Sequence, residues 1–412
     1  MRLVSQLQSN VQLMARSGLA ACFGAGILFW ASMAAQLPTM PLYLRSLNTP
    51  ATQVGWVMGA FAIGLLCSRT YLGRLSDRRG RCLVMRVGLV VAAVVPAFYA
   101  VNQAIPILMG LRAIHGISIA AFATGYSALV ADLAPPAQRG RVIGYMSLVN
   151  PMGMALGPVL GDWLQFEFGY PVMFRVAGSL ALVGLLVSWG IRDAVLDLDL
   201  PAIKPEFWST FLSERVWVPA FTLFMVGLSF GTLSAFLPLL IKETQVNLSV
   251  GLFYLVTAIA GFTVRVMISR LSDRVGRGLF INLGLVFYGL SMVLIFFATS
   301  PMQFLLAAFS EGMGAGLVIP AIITMLADRT VVTERGFVLG LVLMGFDLGI
   351  ACAGPTMGSL MQHTSLGMGF LAATGLLGLA ILVFSTHSNL GLANSLRFAI
   401  GRGQDCWAIA AK

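Results

Sequence analysis

The chain has 412 residues, of which 58% are hydrophobic and only 10% are charged. Soluble domains carry about 25% charged residues, so a water-soluble protein of this composition could not cover its surface, and a lipid bilayer must surround most of the chain. The net charge of +10 does not indicate a nucleic-acid partner, because the basic residues fall in short loops between apolar runs.

Apolar runs long enough to cross a bilayer occur twelve times along the chain. A spanning helix needs about 20 mostly apolar residues. The first six predicted spans lie near 18–43, 52–72, 83–100, 104–130, 141–163 and 171–191. The second six lie near 216–240, 248–268, 279–298, 301–326, 336–361 and 366–386. The sequence therefore predicts an all-α membrane protein with two six-helix bundles.

Lysine and arginine residues are concentrated on one side of the predicted spans. The loop after the second span is the most basic, and it contains Arg74, Arg78, Arg79, Arg81 and Arg86. The N-terminus and the other loops on that side are also basic, whereas the loops on the opposite side contain Arg45 and Lys242. Because positive residues mark the cytoplasmic side, we expect a multi-pass protein of the cell (inner) membrane with both termini in the cytoplasm.

The most polar internal stretch covers residues 192–215. It predicts a cytoplasmic linker between an N-terminal bundle, residues 1–191, and a C-terminal bundle, residues 216–386. Residues 387–412 are predicted to form a cytoplasmic tail. The first apolar run is longer than that of a signal peptide and lacks a cleavage site placed to end it, so we expect it to be retained as a span.

A basic sequence occurs in both halves, with Asp77 and Asp273 placed 196 residues apart. Positions 73–81 read GRLSDRRGR, and positions 269–277 read SRLSDRVGR. Gly73 would allow close approach of a neighbouring backbone and Ser269 would not. We therefore expect the first copy to make the closer contact with a neighbouring segment. The same offset relates further positions in the same order: Gly88 to Gly284, Gly116 to Gly312, and Asp132 to Asp328. These matches indicate gene duplication, and parallel repeats place a substrate site at the membrane midplane between the halves.

The first copy matches the signature loop of the major facilitator superfamily, Gly-x-Leu-Ser-Asp-Arg-x-Gly-Arg, and the chain resembles that superfamily over nearly its whole length. The resemblance implies that the loop braces the two halves in the outward-open state. Asp77 would then face the start of the eleventh helix, where the helix dipole stabilises a carboxylate by about 0.3–1 kcal/mol, and Arg81 would pair with Asp132. The alternative is that these charges only anchor the topology. The gating interpretation involves Gly73, Asp77, Arg78, Gly80, Arg81, Asp132, Asp273 and Arg277.

A motif in the fourth span, Arg112-x-x-His115-Gly116, resembles the Arg-x-x-Gln-Gly pattern of the superfamily's antiporters but has histidine in place of glutamine. A charged side chain near the membrane midplane is costly and usually functional. In the superfamily this arginine is associated with proton or substrate coupling. His115 could share that role, or it could only donate hydrogen bonds as glutamine would.

A motif in the fifth span resembles the antiporter signature of the same superfamily, with Asp162 in place of its final glycine. Its small residues permit close helix contact, and its proline bends the helix. The resemblance favours exchange transport, while the alternative is a helix-packing face without a special role. The motif consists of Gly153, Gly157, Pro158 and Gly161.

Two acidic residues interrupt apolar spans of the second half. Glu311 lies in the tenth span, at the repeat position of His115, and Asp347 lies in the eleventh span. A carboxyl group inside a membrane suits reversible protonation. We therefore expect Asp347 or Glu311 to carry a proton, with Arg112 as the responding cation. The alternative is that each acid is paired structurally or faces water at a helix bend.

Aromatic and amide side chains in the spans are candidates for a pocket that binds amphipathic organic ligands. They could equally face neighbouring helices or lipid. The candidates are Trp30, Gln36, Tyr126, Asn150 and Phe230.

The sequence is compatible with two directions of transport and bears on a third class of function. The first is a proton-coupled exporter of small organic compounds or metabolites, and the second is a proton-coupled importer of a metabolite such as an organic acid, which Arg112 could hold. The third is a membrane enzyme or receptor, against which the sequence shows no nucleophile elbow, phosphate loop or metal cluster. We expect a monomeric secondary transporter that binds a small-molecule substrate and protons within the bilayer, without enzymatic activity, cofactor or metal.

Overall fold

The structure is a computed structural model that describes residues 2–135, 138–193, 207–268, 276–331 and 334–409. Most of the predicted linker and the second basic copy up to position 275, including Asp273, lie outside these residues. The described helices are α1 (Arg2–Ser46), α2 (Ala51–Arg79), α3 (Arg81–Tyr99), α4 (Ile105–Leu133), α5 (Arg139–Met146), α6 (Val149–Phe168), α7 (Tyr170–Ser188), α8 (Phe207–Phe211), α9 (Glu214–Glu243), α10 (Val250–Ile268), α11 (Arg277–Phe297), α12 (Pro301–Arg329), α13 (Arg335–His363), α14 (Leu366–His387) and α15 (Leu392–Ala399).

Twelve helical segments among the described residues are long and apolar enough to cross a membrane. Their number and order confirm the predicted all-α membrane fold. Hydropathy sufficed for this prediction because a chain in lipid must satisfy its backbone hydrogen bonds within each helix.

We predicted the fifth span as one continuous segment. In the structure it consists of two helices, α5 and α6, which are separated by Ser147 and Leu148. Pro151 has no N–H to donate to the Ser147 carbonyl, and its ring crowds that carbonyl group. Proline is tolerated in the first turn of the new helix, so α6 can begin just before it. The sequence signal for this break was the Asn150–Pro151 pair.

One compact unit comprises Met1–Met40 and Ile63–Asp199. Within it the fifth-span motif packs directly against α1. A Cβ atom added at Gly157 would lie 2.6 Å from the carbonyl oxygen of Ala31, and one at Gly161 would lie 2.0 Å from that of Ala35. The motif is therefore a close helix contact, as small residues permit in membranes.

A second compact unit comprises Pro41–Ala62 and Leu200–Lys412. This grouping differs from the predicted bundles at positions 41–62, where the backbone of Gly55 in α2 meets that of Gly354 in α13. Within the same unit α13 packs closely on α9, since a Cβ atom added at Gly349 would lie 2.2 Å from the Phe224 carbonyl oxygen. Gly349 is the repeat counterpart of Gly153, so the packing of the fifth span on the first recurs here in α13 and α9.

Gly161→Ala should destabilise the protein by about 1–3 kcal/mol, because the new methyl group would overlap a backbone oxygen of the neighbouring helix. The thermal unfolding midpoint of the purified protein in detergent measures this loss. Gly110→Ala in α4 is the matched control, since a Cβ atom there meets no described atom within 4 Å. Equal midpoints for the two variants would contradict the close contact.

The segment after α14 is folded onto the second unit. Arg329, at the end of α12, is fully buried, and its Nε atom lies 2.7 Å from Asp405 Oδ2. The same guanidinium donates to the Ser388 carbonyl oxygen at 2.7 Å and lies over the Phe398 ring. In the sequence, Arg329 is only one of the basic residues that mark the cytoplasmic loops. Its partner, Asp405, lies far along the chain in the tail, and charge placement alone does not reveal this pairing.

Candidate functional site

The two polar residues of the fourth-span motif meet an unpredicted tyrosine. Arg112 and His115 on α4 are buried, and the hydroxyl oxygen of Tyr99 on α3 lies 3.2 Å from His115 Nδ1. Tyr99 also interacts with the Arg112 side chain. The three side chains therefore form one buried cluster, which we call the arginine cluster.

Hydrogen-bonding roles within the arginine cluster follow from the chemistry of each group. A guanidinium only donates, so the Tyr99 oxygen accepts from Arg112. The Tyr99 hydroxyl can donate to His115 Nδ1 or accept from it, according to which ring nitrogen of the histidine carries the proton. Tyr99 therefore connects the cation to the histidine.

Glu311 on α12 is buried together with three hydroxyl-bearing residues of two other helices. Tyr288 on α11 faces its carboxyl group as a hydrogen-bond partner. Tyr254 and Thr257 on α10 complete the surroundings, and the Thr257 hydroxyl donates to the Ala308 carbonyl oxygen at 3.1 Å. We call this group the glutamate cluster.

The glutamate cluster retains unused hydrogen-bonding capacity. Glu311 Oε2 and the Tyr254 hydroxyl are both buried, and neither has a hydrogen-bond partner among the described residues. Tyrosine hydroxyls can donate or accept, so the two phenols can adapt to a carboxylate and to a protonated carboxyl group. The cluster can thus accommodate both protonation states of Glu311.

Asp347 is buried, and it lies on α13, a helix that contributes no residue to the glutamate cluster. Its neighbour in sequence, Phe346, has its ring centroid 5.9 Å from that of Phe230 on α9. The structure therefore places the pocket candidate Phe230 beside the backbone that carries Asp347. Phe230 is only partly buried, which leaves part of its ring accessible.

The other pocket candidates divide by burial. Gln36 and Tyr126 are buried, and their side chains donate to the carbonyl oxygens of Ser32 and Met146, respectively. Both are thereby used in helix structure, which weakens them as ligand-binding residues. Trp30 and Asn150 are partly exposed and stay candidates.

The first basic copy forms a network of charges at the ends of α2, α3 and α4. Arg81 Nε contacts Asp132 Oδ2, and Arg81 Nη1 lies 3.8 Å from Asp77 Oδ1. Asp77 is largely exposed. Its expected contact with the start of the eleventh helix stays a prediction.

Asp193, which the sequence did not single out, caps the start of α3. Its Oδ1 atom accepts from the backbone N–H groups of Arg81 and Cys82 at 2.9 and 2.8 Å. Gly80 makes this possible, because its φ of 110° suits glycine and a Cβ atom there would lie 2.5 Å from Asp193 Oδ2. Gly73, by contrast, would accommodate a methyl group with no described atom within 4 Å. The close approach expected at Gly73 is found at Gly80 instead.

The described part of the second copy repeats this geometry. Arg277 Nε bonds to Asp328 Oδ2 at 2.5 Å, as Arg81 contacts Asp132 in the first half. Gly276, the counterpart of Gly80, has a φ of 101°. Asn282, the counterpart of Arg86, donates to the Ala399 carbonyl oxygen of the tail, while Arg86 donates to the Ser188 carbonyl oxygen at the end of α7.

Gly80→Ala should destabilise the first unit by about 1–3 kcal/mol, because alanine is strained at this φ and its methyl group would displace Asp193. Thermal unfolding of the purified variant measures the effect. Gly73→Ala is the control within the same loop and should leave the unfolding midpoint nearly unchanged. A larger loss at position 73 than at position 80 would refute the assignment of the close contact to Gly80.

The chain matches a known family along most of its length. Residues 22–284 and 264–392 match the model of the Major Facilitator Superfamily. The "Quinolone resistance protein NorA" of Staphylococcus aureus is 30% identical over 152 residues, which are 37% of this chain. This match spans only 39% of that protein's own length. The "Multidrug resistance protein MdtG" of Salmonella paratyphi A is 26% identical over 352 residues, which cover 82% of this chain and 86% of that protein.

Solved transporters share the fold. A bacterial homologue of the human lysosomal transporter Spinster superimposes with a TM-score of 0.76 at 14% identity, covering 95% of this chain and 99% of that one. A peptide transporter, POT, gives a TM-score of 0.77 at 13% identity, with coverage of 95% and 99%. At such identities the likeness shows the fold alone.

Proposed function

Because this chain belongs to the major facilitator superfamily of membrane transporters, we propose that it exports small organic compounds in exchange for protons by alternating access. The observation that carries the proposal is Glu311, a carboxyl group buried in a transmembrane unit with hydroxyl groups that suit both of its protonation states. Such a residue is expensive to keep within a membrane unless it has a function.

The proposed cycle couples the protonation of Glu311 to the preference of the protein for one of two conformations. A proton binds Glu311 from the outer side and leaves it toward the cytoplasm, while the substrate moves in the opposite direction. Proton binding can shift a conformational equilibrium only if the two conformations bind the proton with different affinity. Tyr254 and Tyr288 come from different helices, so movement of either helix would change the hydrogen bonds that stabilise each form.

The arginine cluster supplies the responding charge in this proposal. Arg112 cannot lose its proton, so its charge is constant and only its position or its partners can change. Tyr99 links it to His115, which lets a shift of the guanidinium alter the histidine's hydrogen bond. Asp347 is the second carboxyl candidate, beside the aromatic pair of Phe230 and Phe346.

The names of two relatives support export. NorA is a quinolone resistance protein and MdtG a multidrug resistance protein, so we propose amphipathic drugs or metabolites as substrates. The partly exposed aromatic rings of Trp30 and Phe230 suit such ligands. We further propose a monomer in the cell membrane with cytoplasmic termini, since the arginine-rich loops lie on the side of both termini.

An accumulation assay tests export directly. Cells that lack their own exporters are loaded with a quinolone or with amphipathic dyes, with and without expression of this chain. Expression should lower accumulation of at least one compound, and a protonophore should abolish the difference. Higher accumulation on expression would indicate import and would contradict the proposal.

A further inference from the structure

Helix α15 has one face that is buried and another, apolar face that is exposed. Ser395, Phe398 and Ala399 are buried, and the helix packs there on α11 and α14. Leu392 and Leu396 lie in α15, and Ile400 is the residue that follows its last turn. The three are spaced four residues apart, so they form a stripe along one face. Their exposed fractions are 59%, 45% and 53%, although all three side chains are apolar.

The orientation of this stripe is fixed by polar contacts within the tail. Asp405 is held by the buried Arg329, and the Ile409 N–H donates to the Asp328 carbonyl oxygen at 2.9 Å. Asn389 donates to the Gln404 carbonyl oxygen and accepts from the Cys406 N–H group. These bonds hold the residues that follow α15 against Asn389, which precedes it, and against the end of α12. Helix α15 therefore cannot rotate to bury the stripe without breaking them.

The position of α15 places the stripe at a membrane surface. The transmembrane helix α14 ends at His387, and α15 begins at Leu392. The four residues between these helices cannot carry the chain far from the bilayer, and the tight turn through Asn389 keeps it close.

Two arginines lie close to the stripe in the sequence. Arg397 and Arg402 are exposed, and neither guanidinium forms an ion pair or side-chain hydrogen bond with a described residue. Asp405, the acidic residue nearby, is already paired with Arg329. The two arginines therefore give this surface a positive charge that no neighbouring carboxylate neutralises. An apolar stripe bordered by arginine is typical of helices that lie in the membrane interface and attract anionic lipids.

We propose that α15 is an interfacial anchor whose stripe of Leu392, Leu396 and Ile400 inserts into the adjacent leaflet while Arg397 and Arg402 bind anionic lipid headgroups. This proposal does not depend on the substrate or on the direction of transport.

Lipid quenching of a fluorophore tests the insertion. The full chain, with its native cysteines replaced by alanine, is labelled at Leu396→Cys or at Asn394→Cys and placed in nanodiscs that contain nitroxide-labelled phosphatidylcholine. Position 394 is the matched control, because it is exposed on the opposite, polar side of the same helix. The label at 396 should be quenched about threefold or more relative to that at 394, as expected for burial at the acyl boundary.

Equal quenching at the two positions would overturn the proposal. Protection of the label at 396 from aqueous iodide without quenching by the lipid would also overturn it, since a protein partner or a second copy would then cover the stripe.

Lipid-dependent unfolding tests the headgroup contact in the chain with its native cysteines. Replacing part of the phosphatidylcholine by phosphatidylglycerol should raise the unfolding temperature, and Arg397→Gln with Arg402→Gln should remove about half of that increase or more. Arg175→Gln is the matched control, because Arg175 is exposed near the other end of a span. An unchanged increase in the double variant would refute the binding of anionic lipid by this surface.

Discussion

Glu311→Gln should remove the dependence of transport on a proton gradient while leaving the fold intact. Glutamine has nearly the shape of a protonated glutamate, and it can donate to and accept from the surrounding tyrosine hydroxyls. It cannot release a proton, so the conformational equilibrium would no longer respond to pH. We expect proton-driven transport to fall by about 10- to 100-fold, the range of typical coupling energies.

The assay for Glu311→Gln is uptake of a transported drug into vesicles with and without an imposed pH gradient. Glu243→Gln makes the same chemical change at an exposed position and should transport normally. Tyr254→Phe removes a hydroxyl that has no described hydrogen-bond partner and should shift the pH dependence without abolishing transport. Asp347→Asn is measured in parallel. Full proton-driven transport in both Glu311→Gln and Asp347→Asn would rule out these carboxyl groups as proton carriers.

Arg112→Gln should reduce transport at every pH by about 10- to 100-fold, because it removes the positive charge that responds to the protonation of the carboxyl group in the proposed cycle. It would also leave the Tyr99 oxygen without its charged donor. Tyr99→Phe separates these effects, since it retains the guanidinium but breaks the link to His115. We expect Tyr99→Phe to be intermediate between Arg112→Gln and the unmodified chain.

Drug accumulation in cells and initial rates in vesicles measure both arginine-cluster variants, with thermal unfolding as the check on folding. Arg175→Gln removes one positive charge from an exposed position and serves as the control. Normal transport by a folded Arg112→Gln protein would show that the fourth-span arginine has only a structural role.

The fold was predictable because its signals can be read from the sequence without knowledge of which residues are in contact. Apolar length defines a span wherever it occurs, and the repeat of Asp77 at Asp273 revealed the duplication without any knowledge of contacts. The break in the fifth span was also local. Pro151 signalled it, although hydropathy averaged over the span concealed it.

The composition of the clusters was not predictable, because it depends on the rotation of each helix about its own axis. Arg112 and Glu311 stood out as charges in apolar runs. Tyr99 and Tyr254 did not, since a tyrosine in a membrane helix is unremarkable until its partner is known. Asp193 lay in a polar stretch that looked like a simple linker, and its role as the cap of α3 required the geometry at Gly80.

Proton flux in reconstituted vesicles tests the central claim most directly. Vesicles containing this protein are given an inward gradient of a drug identified by the accumulation assay, with a pH-sensitive dye inside and protein-free vesicles as the control. Exchange for protons predicts that the vesicle interior becomes more alkaline as the drug enters, and that Glu311→Gln abolishes this change. Acidification of the interior during drug entry would show symport and would contradict the account.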